Sequence, residues 1–270
     1  PVRRGTLASV AWGTVVIAKA NPHANVFVTP ADHVIQNEDA YQSDILKALE
    51  FVQDNQGLLV TGIRPGRPET GYGYIQMDDR HEVAADIYPV KSFTEKPNAD
   101  FAEMFIQEGD FLWNSGLFSF NVNVMLSNLY SLVPEYQEEI PRMMAEAESA
   151  IPTLVPEFFN SLPNRNVDVS ILERSDHVYV QQGHFGWADM GTWASLYEDA
   201  PADTQGNVLL NTRAFLYDCA DNIIRLPDGR TAVVKGLKDY VIAEEGEILM
   251  ICPRKEVAAM RKMHTDTKFS

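Results

Sequence analysis

An α/β protein carrying a small β-rich appendage is predicted by three features of the sequence. Up to residue 200, short apolar β-runs alternate with stretches of helical spacing; over 201–270 the texture changes to short β-runs parted by turn residues. The 270 residues, 45% of them hydrophobic, are enough to bury a sizeable core, so domains are expected over 1–200 and 201–270.

Val26, Phe27 and Val28 form an apolar run that stops at Pro30, and Ile45, Leu46, Leu49 and Val52 recur at helical spacing before LLVTGI. The order from Ala24 to Gly62 is thus strand, loop, helix, strand, which predicts a parallel sheet with crossover helices and ligands at the carboxyl ends of its strands. TPADH lies at such an end. Between Arg64 and Tyr74, RPGRPETGYGY is too dense in Gly and Pro for an element interior and reads as a rim loop or lid. A strand ending in SFTEKP, a helix from about Asn98 to Gln107, an apolar stretch around FLWNSGLFSF and helical segments to about Glu173 follow. HVYVQQ is a further strand, and GWADMGTW a turn into the helix of Leu196 and Tyr197. After the linker PADTQGN, the runs AFLYDC, NIIRL, TAVVKG, YVIAEE and EILMIC predict a few β-helix-like coils with turns at Asp228-Gly229 and Glu245-Gly246. A basic helix near Arg254 to Met263 closes the chain.

The formal net charge of -16 argues against a nonspecific nucleic-acid surface, because phosphate backbones repel an acidic face. No apolar run approaches the ~18 residues of a membrane span. Cys219 and Cys252 sit in apolar β-runs and read as core thiols of a reduced, cytoplasmic protein. PVRRGTLASVAWG carries charge without the continuous apolar region of a signal peptide.

Asp32 follows a strand and Pro30, and Asp189 stands in a Gly-flanked turn after a later strand. Together they offer hard oxygen ligands to Mg²⁺, which favours one or two carboxylates plus phosphate oxygens. The alternative makes Asp32 a helix cap and Asp189 a turn former. Glu95 and Lys96 end SFTEKP, where a carboxylate can accept from sugar hydroxyls and an ammonium can meet a phosphate; a plain surface ion pair is the other option. Asn114 in WNSG supplies a donor and an acceptor suited to a hexose, or merely forms a turn. Gly71 and Gly73 in TGYGY lack the spacing of a phosphate cradle, yet permit close backbone approach to a sugar.

TPADH, TGYGY, FTEKP, WNSG and FGWADMGTW occur in the order and approximate spacing of mannose-1-phosphate guanylyltransferases, which this chain resembles over nearly its whole length. The resemblance implies a Rossmann-like nucleotidyltransferase domain followed by a short left-handed β-helix. It also implies that Asp32 and Asp189 bind Mg²⁺, that Gly71, Tyr72 and Gly73 line the sugar pocket, and that Glu95, Lys96 and Asn114 hold the mannose and its phosphate. Gly191, in GWADMGTW, is counted with the substrate residues. GTP and mannose 1-phosphate are the implied substrates, and a homodimer is an option that the edges of the β tail leave open.

In this register the family's glycine-rich loop with its arginine, and the Pro-Lys-Gln stretch after it, fall upstream of residue 1, so the nucleotidyltransferase domain is expected to lack its first part. VRRGTLA stands where the family has Arg-Asn-Thr-Ala-Pro, with Gly5 in place of the asparagine, and NVDVSILE retains only Asp168 and part of a Ser-Ile-Asp-Tyr-Ala pattern. Two alternatives stay open: a transferase using another base or sugar, and a sugar-phosphate-binding subunit without catalysis.

Overall fold

A computed structural model describes residues 3–146, 151–189 and 193–259. The chain divides into two compact units, Pro1–Ala31 with Ile35–Trp187 and Asp32–Val34 with Ala188–Ser270.

The first unit opens with a helix that the sequence reading did not anticipate, α1 (Gly5–Ala20), which buries Leu7, Ala8, Ala11, Thr14, Val15 and Ala18. That spacing places the small and branched residues on one face, against a core of Val60, Phe118, Phe120, Met125, Tyr136 and Phe158. Strand β1 (Asn25–Val28) leads to β2 (His33–Ile35) and then α2 (Glu38–Asp54), which is capped by Asn37 accepting from the Ala40 amide at 3.1 Å. Asp32 therefore does not cap that helix. After β3 (Leu58–Ile63) come β4 (Tyr74–Met77), β5 (Ile87–Thr94) and α3 (Ala99–Glu108). Helix α3 is capped by Asn98 and ended by Gly109 at φ 79°. Next are β6 (Phe111–Asn121), α4 (Val122–Leu132), α5 (Tyr136–Ala145), α6 (Ile151–Ser161), a π-turn at Asp168–Leu172 and β7 (Val178–Gly183).

The sheet order is β1-β6-β3-β7-β5-β4. Among the described strands of this sheet, β3 and β7 alone form the expected parallel pair; β6 runs antiparallel to β1 and β3, and β5 antiparallel to β7 and β4. The expectation of a parallel sheet is thus corrected to a mixed one. Parallel neighbours need a crossover of a dozen or more residues, whereas β4 and β5 are joined by residues 78–86 alone. Strand β6 is buried along nearly its whole length, so its sequence carries no alternation from which a direction could be read.

The second unit takes in β8 (Trp187–Asp189) from Ala188 onward, which pairs with β2, and α7 (Trp193–Asp199). Its β-runs are β9 (Val208–Leu209), β10 (Arg213–Tyr217), β11 (Ile223–Arg225), β12 (Thr231–Lys235), β13 (Tyr240–Glu245) and β14 (Ile248–Pro253). Strands β9, β11 and β13 stack in parallel, as do β10 and β12, while β14 folds back antiparallel on β13. The Asn222 Nδ2 donates to Asn207 Oδ1 and to the Leu237 carbonyl, both at 2.9 Å, so a buried amide ties together segments 15 positions apart. Cys219 and Cys252 are free and buried. Residues Arg254–Ala259 form a 3₁₀ turn where a basic helix was expected, and 260–263 of that expectation lie outside the described residues. Among the described residues no helix is long and apolar enough to cross a membrane.

Candidate active site

A polar side-chain cluster of the first unit is built on β6. Its pairing with β3 shifts register between Val60, opposite Phe118, and Gly62, opposite Asn114. Ser115 fills the bulge, its hydroxyl donating to the Thr61 carbonyl at 2.6 Å, and Gly116 takes the left-handed φ of 72° that the bend requires. The irregularity turns the Asn114 side chain toward Asp168: Nδ2 donates to Asp168 Oδ1 at 2.8 Å, while Asn114 Oδ1 accepts from the Gly116 amide at 3.0 Å.

Glu95, Lys96 and Gly73 complete this group. The Asn114 amide donates to the Gly73 carbonyl at 2.7 Å, and a Cβ on Gly73 would stand 2.7 Å from Glu95 Oε2. A carboxylate thus occupies the space that a side chain at this position would take. Lys96 Nζ donates to Glu95 Oε1 at 2.7 Å, and Lys96 itself adopts φ 46°, a left-handed conformation that a non-glycine residue holds only when its surroundings impose it.

Asp168 and Glu173 bracket the π-turn, whose closing bond runs from the Glu173 amide to the Asp168 carbonyl at 2.9 Å. Burial pushes the Asp168 carboxyl above its ordinary value, against the Asn114 hydrogen bond that pulls it down, and Glu95 adds to the rise. Glu173 is raised too, by desolvation first and then by Glu95 and Asp168. Three carboxylates, one ammonium and a fixed amide thus share one electrostatic neighbourhood. Such a set accepts from hydroxyl groups and retains one cation for an anionic substituent.

The loop over 64–73 is held from within. Glu69 Oε1 accepts from the Gly71 amide at 2.8 Å, Glu69 Oε2 accepts from Arg67 at 3.3 Å, and the Glu69 amide donates to the Tyr74 hydroxyl at 3.0 Å. Arg67 lies 5.4 Å from the Trp113 ring centre, and Tyr72 meets Trp113 and Trp187 edge-on. Tyr72 is therefore a buried anchor, while Gly71 beside it is exposed.

Asp32 and Asp189 belong to the second unit, where both carboxylates act on the imidazole of His33. Burial lowers the His33 pKa, and Asp189 and then Asp32 oppose that fall. His33 Nε2 lies 4.0 Å from Asp32 Oδ1. Gly191 lies outside the described residues. Of the residues expected from sequence, Gly73, Glu95, Lys96 and Asn114 gather in the first unit, with Gly71 and Tyr72 on the loop beside Glu69. Sequence reasoning assigned no pocket role to Asp168, Glu173 or Glu69. The acidic residues five apart in NVDVSILE were the available signal, but helical periodicity does not place such a pair together.

A mixed α/β sheet thus carries a carboxylate-rich polar cluster on an inner strand. The family model described as Nucleotidyl transferase matches residues 1–206, and the chain belongs to that family. It is 30% identical over 273 residues to the mannose-1-phosphate guanylyltransferase of Escherichia coli K12, covering 97% of this chain and 56% of that protein. To mannose-1-phosphate guanylyltransferase RfbM of Salmonella typhimurium LT2 it is 31% identical over 268 residues, covering 97% and 55%. The chain thus spans little more than half the length of these relatives. The crystal structure of mannose-1-phosphate geranyltransferase from Thermus thermophilus superposes with a TM-score of 0.87 at 27% identity, covering 99% of this chain and 76% of that one.

Proposed function

We propose that the chain forms the catalytic part of a mannose-1-phosphate guanylyltransferase, making GDP-mannose and pyrophosphate from GTP and mannose 1-phosphate. The observation that supports this reading is the gathering of Gly73, Glu95, Lys96, Asn114 and Asp168 in one cluster. Glu95 and Asp168 accept from mannose hydroxyls, the Asn114 amide is oriented by its two hydrogen bonds, and Lys96 meets the sugar phosphate.

In the reaction, an oxygen of the sugar phosphate forms a bond to the α-phosphorus of GTP as the bond to the bridging β-phosphate oxygen breaks, and pyrophosphate leaves with that electron pair. The attacking phosphate is already ionised, so the residues position and neutralise rather than move protons. Asp32 and Asp189 would offer Mg²⁺ hard oxygen donors and hold it together with phosphate oxygens; both carboxylates act electrostatically on the same imidazole, that of His33. When bound, the ion would offset phosphate charge.

The same reading gives a cytoplasmic enzyme with no nucleic-acid or membrane partner, organised as a sugar-phosphate nucleotidyltransferase domain over 1–200 and a left-handed β-helix-like domain over 201–270 that offers edges for a homodimer. The parallel stacking of β9, β11 and β13 beside β10 and β12 supports the β-helix. Pyrophosphate release by the full-length protein, assayed with each pairing of sugar 1-phosphate and nucleoside triphosphate in the presence of Mg²⁺, tests the proposal. Preference for GTP with mannose 1-phosphate is expected; release with no pair at all would reject it.

A further inference from the structure

We infer that Thr6, in the first turn of α1, is a positioning residue for the Asn114–Asp168 cluster and sets the Asp168 carboxylate through Asn166. The inference rests on the sugar-phosphate reading of that cluster. Thr6 Oγ1 donates to Asn166 Oδ1 at 2.8 Å and accepts from the Val167 amide at 3.0 Å. The same Asn166 Oδ1 accepts from the Asp168 amide at 3.1 Å, and Asp168 Oδ1 in turn accepts from Asn114. One hydroxyl therefore serves as donor and acceptor at the point where the chain enters the π-turn.

The backbone shows why this contact is specific. Leu7 donates to the Arg165 carbonyl and Arg165 to the Arg4 carbonyl, each at 3.2 Å, so that 4–7 and 165–168 are clasped side by side. Gly5 allows the clasp: its φ is 73°, and a Cβ would lie 2.1 Å from the Arg165 carbonyl oxygen. Gly5 thus permits a close backbone approach, and that approach delivers the Thr6 hydroxyl to Asn166. The amide of Val167 has Thr6 as its acceptor, so removing the hydroxyl frees the segment that fixes Asp168.

Thr6→Val keeps the side-chain shape without the hydroxyl, and Thr6→Ser keeps the hydroxyl. Calorimetric binding of mannose 1-phosphate is expected to weaken about tenfold in Thr6→Val and to stay within about twofold in Thr6→Ser. Amide exchange over 166–169 should quicken in Thr6→Val alone, with the circular dichroism of both variants unchanged. Wild-type affinity and exchange in Thr6→Val would overturn the inference, as would equal damage in both variants, which would mark a packing role. If the unaltered protein binds no mannose 1-phosphate while Thr6→Val still quickens exchange at 166–169, the sugar-phosphate reading fails and the hold of Thr6 on Asp168 stands.

Discussion

Asn114 donates from Nδ2 to Asp168 Oδ1 over 2.8 Å, joining a bulged strand to a π-turn 54 positions further along the chain. Asparagine is suited to this task because its amide carries both polarities: the oxygen is held by the Gly116 amide, so the nitrogen must point at the carboxylate.

Replacing Asp168 separates binding from stability. Burial raises its pKa, so the folded state favours the protonated acid; the stabilisation this gives exists below the unfolded pKa and is lost as pH rises through the folded one. Asp168→Asn should therefore melt no lower than the wild type at pH 7, with any advantage vanishing below about pH 4. Mannose 1-phosphate affinity should fall about tenfold, since a charge-assisted acceptor is lost. A melting point several degrees lower at pH 7 would contradict burial as the cause of the shift.

Two glycines give opposite outcomes from the same added methyl. At Gly73 the obstacle is Glu95 Oε2, the far end of a flexible side chain, so Gly73→Ala should cost less than about 1 kcal/mol of stability while displacing Glu95 and weakening sugar-phosphate binding. At Gly5 the obstacle is the Arg165 backbone carbonyl and φ is 73°, so Gly5→Ala should cost about 1–3 kcal/mol. Denaturant melts of both variants beside calorimetric titrations check the contrast.

Glu69→Ala should raise the KM for the sugar phosphate roughly five- to tenfold with a smaller change in kcat, because the Gly71 amide loses its acceptor. Glu69→Gln, which retains an acceptor oxygen, should recover part of the loss. A kcat defect with unchanged KM would move Glu69 from loop support to the reaction itself.

Asp189→Asn should lower turnover by at least about a hundredfold without altering the fold, since it weakens a proposed ligand of the metal rather than packing. The check is pyrophosphate release across a Mg²⁺ titration; unchanged activity at limiting metal would remove Asp189 from that role.

Local chemistry was readable in the chain. Strand β1 with its stop at Pro30, the periodicity of α2, the helix α3 and the β-runs after residue 200 depend on neighbours a few positions apart, and they stand close to where the sequence put them. Glu95, Lys96 and Asn114 were singled out in the same way, each from the polar chemistry of its own motif, and Gly73 from the close backbone approach it permits; the fold draws them together. Packing over long separations decided the rest. The direction of β6 depends on which strands flank it, and a strand buried on both sides shows no pattern that would reveal them. Asp168 joins Asn114, and Thr6 meets Asn166, because a bulge, a π-turn and a glycine bring distant backbone together. Periodicity and propensity sample one turn or one strand at a time, whereas these contacts exist only once the sheet and α1 have closed over a common core.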